Sequence, residues 1–148
     1  MKENDTELRL LMMRAEKARK RILQPYFAQI GLTFGQGYAR ILDCLLTKDH
    51  LTQKELANLC RIDVTTMSRS LDRLEEAGYL VRERDPECRR SFLICLTEAG
   101  VLEAKKAHRG LEFIDQQMKK GISPQELVIL KKCLRQVCEN LENCQFEP

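Results

Sequence analysis

Two helix-start signals stand only eleven residues apart, at Thr52 and Asp63, and that spacing limits the fold more than any other feature of the chain. Thr52-Gln-Lys-Glu55 has the form of a capping box, in which a hydroxyl and a glutamate each satisfy an orphan backbone N–H. It opens a short helix carrying Leu56 and Leu59, which must end before Asp63 caps the next one. The helix begun by Asp63 runs to Gly78, so the connection, Arg61 to Asp63, is only about three residues long. Two helices joined by so tight a turn form a helix-turn-helix pattern over about residues 53–78.

Past Gly78 the periodicity changes. Leu80–Arg84 and Ser91–Leu96 read as strands, the second placing Phe92, Ile94 and Leu96 on one face. Between them Asp85-Pro-Glu-Cys-Arg-Arg90 is a charged turn. A two-stranded hairpin directly behind a helix-turn-helix is a wing, here about residues 80–97.

Helices flank this centre. From Thr6 to Ile30 apolar residues recur at Leu8, Leu11, Met12, Ala15, Ile22, Tyr26 and Ile30, with Pro25 expected to kink or divide the helix. Gly31 stops it, and Thr33 is expected to cap a second helix ending near Leu46. Thr97 caps a fifth helix bearing Leu111, Ile114 and Met118, ended by Gly121. Ser123-Pro-Gln-Glu126 is a second capping box with Pro at the first helical position. The last helix sets Leu127, Leu130, Leu134, Val137, Leu141 and Cys144 at spacings of three and four, a heptad stripe suited to a partner helix.

Composition agrees with a mainly helical chain: 148 residues suffice for one domain, 32% are charged, and Gly and Pro are scarce. No apolar run reaches the roughly 18 residues of a membrane span. The start, MKENDTELR, is too charged for a secretory signal, so a cytoplasmic location is expected. Seven cysteines is an odd number, and reduced thiols are the default in that compartment. The net charge of +3 is too small to establish nucleic-acid binding, and from Arg61 to Arg90 seven arginines face seven acids. Any footprint on DNA must come from placement.

Placement is testable on a helical wheel. At ~100° per residue, Val64, Met67, Leu71 and Leu74 take one narrow face. Thr65, Thr66, Arg69, Asp72, Arg73 and Glu76 point away from it, and Asp72 is placed to hold either arginine. Arginine can bond guanine twice in the major groove, and a Thr methyl can touch thymine. Charges on a helix face are as often merely solvated. Arg84, Arg89 and Arg90 on the wing shift the balance, because a projecting cation there can reach a phosphate or the minor groove.

Residues 51–100, LTQKELANLCRIDVTTMSRSLDRLEEAGYLVRERDPECRRSFLICLTEAG, resemble the central winged-helix segment of the MarR (multiple-antibiotic-resistance regulator) family. GLTFGQGYARILDCL, residues 31–45, resembles the helix before it. The resemblance implies one MarR-like domain over 1–148, with dimerisation helices at 1–30 and 98–148 and a winged helix-turn-helix lobe at 31–97. It implies a homodimer in which the first, fifth and sixth helices intertwine and two lobes read a pseudo-palindromic operator in double-stranded DNA. Thr65, Thr66, Ser68, Arg69 and Arg73 take the recognition-helix role, and Arg90, supported by Arg89, takes the wing tip. A small aromatic effector would bind between the dimer helices and the DNA lobe. The family's usual Asp stands where this chain has Cys88, leaving Asp85 to fix the wing arginine.

The remaining chemistry-bearing residues weigh less. Cys88, flanked by Arg84, Arg89 and Arg90, is a candidate redox site, since nearby cations stabilise a thiolate; a tolerated loop cysteine is the plainer reading. Some MarR-like proteins sense peroxides through a cysteine near the N-terminus, and this chain has none before Cys44. Cys44 and Cys60 read as small buried residues, and His50 as an exposed loop residue. Cys133, Cys138 and Cys144, expected on one helix, have spacings that match no common metal pattern, with or without His108. With no nucleophile–base pair, phosphate loop or catalytic carboxylates evident, neither an enzyme nor a cofactor is expected. A thiol-based redox sensor of the same fold and a winged-helix protein-interaction module are the competing readings.

Overall fold

The computed structural model describes residues 2–32 and 37–148, with side chains from residue 6 onward. In chain order the elements are α1 (Lys2–Gln29), α2 (Tyr38–Thr47), β1 (Leu51–Thr52), α3 (Gln53–Cys60), α4 (Val64–Glu76), β2 (Leu80–Asp85), β3 (Cys88–Leu96), α5 (Glu98–Lys119) and α6 (Pro124–Glu142). Two compact units emerge, Met1–Ile114 and Asp115–Pro148. Among the described residues no helix is long and apolar enough to cross a membrane.

The core of the first unit gathers Leu23 and Phe27 of α1, Ile41, Leu42 and Leu45 of α2, Leu56 of α3, Met67, Leu71 and Leu74 of α4, Leu80 and Ile94 of the sheet, and Ala104 and Ala107 of α5. Helix α1 runs unbroken through Pro25. Proline removes one intrahelical bond, but Leu23 and Phe27 bury on either side of it, and Ile30 and Leu32 donate back to the Tyr26 and Phe27 carbonyls. The inward face is therefore Leu23 and Phe27 rather than the expected Ile22, which is exposed along with Leu8, Leu11 and Met12. Thr33, expected to cap α2, lies outside the described residues; α2 follows Gly37, at φ 73°.

Small residues explain how α5 comes close to its neighbours. Gly100, Ala104, Ala107 and Gly110 are buried along one face. A Cβ on Gly110 would strike the Tyr26 ring, and one on Gly100 would strike the Tyr79 carbonyl. The Tyr26 hydroxyl donates to the Lys106 carbonyl at 2.7 Å, fixing α1 against α5. Thr97 caps α5 as expected, its Oγ1 accepting from the Gly100 N–H at 3.0 Å.

The sheet has three antiparallel strands in the order β1-β3-β2, one more than expected. The addition, β1, is only Leu51–Thr52, paired with Ile94 and Leu93. Strand β3 starts at Cys88 rather than Ser91, so the turn is shorter than expected. Phe92 shares its face with buried Ile94 yet is 47% exposed, because it lies opposite Arg84, outboard of the core.

In the second unit both elements of the expected capping box are present: Ser123 Oγ accepts from the Glu126 N–H at 3.1 Å, and Glu126 accepts from the Ser123 N–H at 2.9 Å. No residue of α6 is buried in the single chain, and Val128, Ile129, Leu130, Leu134 and Leu141 are exposed. Cys133 and Cys138 are on this helix, but Cys144 lies beyond its end at Glu142. The three cysteines thus do not share one helix.

Candidate nucleic-acid interface

The helix-turn-helix forms as its two caps dictate. Thr52 and Glu55 make the full capping box of α3, and the Asp63 carboxylate accepts from the Thr66 N–H at 2.8 Å and the Thr66 hydroxyl at 2.7 Å. Those two bonds, the backbone one first, hold the Asp63 carboxyl below the usual range. Between the helices Arg61 adopts the left-handed region at φ 54°, and the Ile62 N–H returns to the Ala57 carbonyl. Arg40 of α2 donates to the Cys60 carbonyl at 2.8 Å and so pins the end of α3.

Helix α4 buries Met67, Leu71 and Leu74, but not Val64, which is 71% exposed; Ser70 is buried in its place. At ~100° per residue Val64 and Ser70 flank the three buried side chains at similar angles, so the difference lies along the axis: Val64 is the first residue of α4, whereas Ser70 stands between Met67 and Leu71. Leu59, beside Leu56 on α3, is likewise exposed. Thr65, Arg69 and Arg73 are exposed and Thr66 and Ser68 half-buried. The Thr66 hydroxyl is occupied by the cap. Arg69 and Arg73 stand one turn apart, a rise of ~6 Å.

Asp72 holds neither of them. Arg82 of β2 donates to Asp72 at 2.9 Å and to Glu75 at 3.1 Å, tying the wing strand to the outer side of α4. Sequence reasoning missed Arg82. The available signal was its parity with Leu80: an arginine two residues after a core-facing strand position must meet acids near the core edge.

The wing tip is irregular. Arg84 pairs with Phe92 and Asp85 with Cys88, which leaves Arg89, Arg90 and Ser91 without cross-strand partners, a bulge that reorients side chains. Asp85 does not fix an arginine; its carboxylate accepts from the Glu87 N–H at 2.9 Å and shapes the turn. Cys88 is exposed, and its thiol is held below the usual range, but by the Ser91 hydroxyl and then the backbone at Arg90, not by arginine charge. A groove of about 350 Å³ separates Arg90, Ser91 and Phe92 from Gln53 and Lys54 at the start of α3. Gln53 and Lys54 also escaped the sequence reading.

Among the described residues, the guanidinium groups of Arg69, Arg73, Arg84, Arg89 and Arg90 make no ion pair or hydrogen bond, whereas those of Arg82 and Arg40 are engaged. Unengaged arginines on one helix face and the adjoining hairpin are the chemistry of a polyanion surface.

Elsewhere in this unit, Cys44 and Cys60 lie with their sulfurs 3.3 Å apart. The Cys60 S–H donates to Cys44, which brings the Cys44 thiol down to about 7 and pushes Cys60 up. Cys60 is buried as expected, but Cys44 is only half-buried. His50 is exposed, as expected. His108 Nδ1 lies 2.7 Å from Asp43.

Comparison with known proteins bears directly on this surface. The sequence profile of the MarR family matches residues 30–91. The chain is similar to the organic hydroperoxide resistance transcriptional regulator of Bacillus subtilis, 30% identical over 103 residues, covering 70% of this chain and 69% of that protein. Its fold is similar to that of a MarR-family regulator from Silicibacter pomeroyi, with a TM-score of 0.72, 27% identity, and coverage of 92% of this chain and 90% of the other. It is also similar to BpsR of Bordetella bronchiseptica, whose DNA binding is regulated by 6-hydroxynicotinic acid, with a TM-score of 0.71, 25% identity, and coverage of 89% and 98%. With its capped helix-turn-helix, its arginine-bearing hairpin and these relatives, the chain belongs to the MarR family of winged-helix, DNA-binding transcription regulators.

Proposed function

We propose that the chain is a cytoplasmic, homodimeric repressor, without enzymatic activity, that reads a pseudo-palindromic operator and is released by a small-molecule or oxidative signal. The observation that carries this reading is the set of five unengaged arginines on α4 and the wing. In the proposed complex α4 enters the major groove, with Thr65, Ser68, Arg69 and Arg73 toward base edges and Thr66 toward the backbone. Arg84, Arg89 and Arg90 follow the adjoining phosphates or minor groove.

Residues 1–30 and 98–148 supply the dimerisation helices of one MarR-like domain. Support comes from the apolar residues that α1 and α6 leave uncovered, Leu10, Leu11 and Met13 on the first and Ile129, Leu134 and Leu141 on the second. Regulation of BpsR by a small aromatic acid supports an effector of that class. Cys88 supplies the oxidative alternative: its thiolate takes one oxygen from a hydroperoxide, giving a sulfenic acid beside Arg89 and Arg90 and releasing an alcohol.

Selection of binding sites from random duplex DNA tests the reading. An enriched inverted repeat is expected. Failure to enrich any duplex, with retention of acidic polypeptides instead, would assign the same arginines to a protein partner.

A further inference from the structure

Asp49, His50 and Cys95 bring a carboxylate, an imidazole and a thiol together, with all donor atoms within 4.8 Å of one another. The fold, not the sequence, makes them neighbours. Strand β1 pairs Leu51 with Ile94, so the residues just before β1 lie beside the β3 residue that follows Ile94. Asp49 is held in place, because its Oδ1 accepts from the His50 N–H at 2.9 Å and the Leu96 N–H at 3.2 Å. Its other oxygen, Oδ2, lies 3.7 Å from His50 Nδ1. His50 itself occupies the left-handed region at φ 60°, which L-residues seldom adopt.

A fourth donor stands on the sheet. Val81 pairs with Cys95 and Glu83 with Leu93, so Glu83 and Cys95 share one face of the hairpin as diagonal neighbours. The Cys95 side chain is buried, at 4% exposure. Asp49 lies beside this buried thiol, and the strand register sets Glu83 on the same face of the hairpin.

We propose that Asp49 Oδ2, His50 Nδ1, Cys95 Sγ and a carboxylate oxygen of Glu83 bind one divalent transition-metal ion of the zinc type. A thiolate with an imidazole selects such an ion over magnesium or calcium, and four mixed donors suit its tetrahedral preference. Metal–ligand bonds of about 2.0–2.3 Å place tetrahedral ligands roughly 3.3–3.8 Å apart. The Asp49–His50 separation of 3.7 Å already falls in that range. All three donor atoms lie within 4.8 Å of one another, and the exposed His50 ring is free to adjust its orientation. On binding, the Cys95 S–H bond breaks, a metal–sulfur bond forms, and the proton leaves to solvent. The two backbone N–H groups on Asp49 Oδ1 act as the outer support that orients a metal-bound carboxylate. The occupied site clips the α2–β1 loop to β3, the strand that continues into the wing.

The test uses the full chain in a background with the exposed Cys88, Cys133, Cys138 and Cys144 changed to Ser, stripped of metal and titrated with Co²⁺. One equivalent should give the near-ultraviolet thiolate–cobalt charge-transfer band and tetrahedral d–d bands, and Zn²⁺ should displace both. Cys95→Ser should abolish the charge-transfer band. His50→Asn keeps a residue tolerant of positive φ on an exposed loop, so folding is preserved, and it should weaken Zn²⁺ binding by about 100-fold, at least the loss that follows removal of an outer-shell partner. Glu83→Gln should weaken it to a similar degree. The proposal is overturned if no charge-transfer band appears, if it survives Cys95→Ser, or if either His50→Asn or Glu83→Gln leaves affinity unchanged.

Discussion

Arg69 and Arg90 carry the same charge and are both exposed, yet under the proposed function their positions give them different work. Arg69 rises from the first half of α4, where base edges come within reach in the proposed complex. Arg69→Ala should cost about 1–3 kcal/mol on the preferred duplex and relax sequence preference there. Arg90 sits in the unpaired bulge of the wing. Its loss should weaken all duplexes evenly and lower the salt dependence by about one phosphate contact per subunit. Binding isotherms on specific and random duplexes at several salt concentrations decide this, and a loss of preference in Arg90→Ala alone would reverse the two roles. A second residue-scale test concerns Cys44. With its thiol near 7, alkylation followed by peptide mass spectrometry should show a rate midpoint near that pH, moving toward the ordinary thiol range in Cys60→Ala, which removes the donor. An unmoved midpoint in Cys60→Ala rejects the hydrogen bond as the cause. At this scale the sequence is only half legible. A wheel shows that Arg69 and Arg73 face outward, because helix geometry is local. That Asp72 is taken by Arg82, or that Asp49 and His50 meet Cys95, depends on strand pairings set by packing, and the spacings 72–82 and 50–95 carry no trace of them.

Elements were legible where a side chain ends them. The caps at Thr52, Asp63, Thr97 and Ser123 all form, because each is a bond between residues three apart. Strand β1 was not legible: two residues are too few to show a period, and only pairing to β3 defines them. The Asp63 cap has a pH consequence with a definite sign. Its carboxyl is depressed in the folded chain, so its stabilisation is present above the unfolded pKa and is lost as pH falls through the folded one. Asn caps as well as Asp but does not titrate. Asp63→Asn should therefore match the parent in thermal unfolding near neutrality and lose less stability in acid; identical acid limbs would show that the cap contributes nothing to acid sensitivity. The α5 face gives a sharper prediction. In Gly100→Ala the new methyl meets the Tyr79 carbonyl, a backbone atom that cannot rotate aside. A loss of about 3 kcal/mol is expected, the upper end for overpacking, read as a lowered denaturation midpoint with unchanged slope.

For the whole molecule, the sequence pointed to helices in need of a partner, and the single chain leaves α6 without a buried residue. A stable dimer is expected at micromolar concentration, its melting temperature rising with protein concentration. Leu134→Glu with Leu141→Glu should shift sedimentation equilibrium to monomer, and a wild-type chain that is already a folded monomer would dispose of the dimer. The class was legible as a whole because the order of local signals, capped helix pair then hairpin, has few spatial solutions. The site was less so, since the wing bulge follows from a register slip rather than from any residue type. One consequence reaches beyond the single chain. Arg82 ties β2 to α4, so in the proposed complex the helix and its wing would act as one head. In a pair of such heads the quantity left to adjust is phase along the double helix. Half-sites one turn apart repeat every 34–36 Å, so each base pair of mismatch turns the second groove away by about 35°. Under the proposed function an operator acts as a ruler held against a pair of callipers, and a signal frees the gene by altering the gap without touching either jaw.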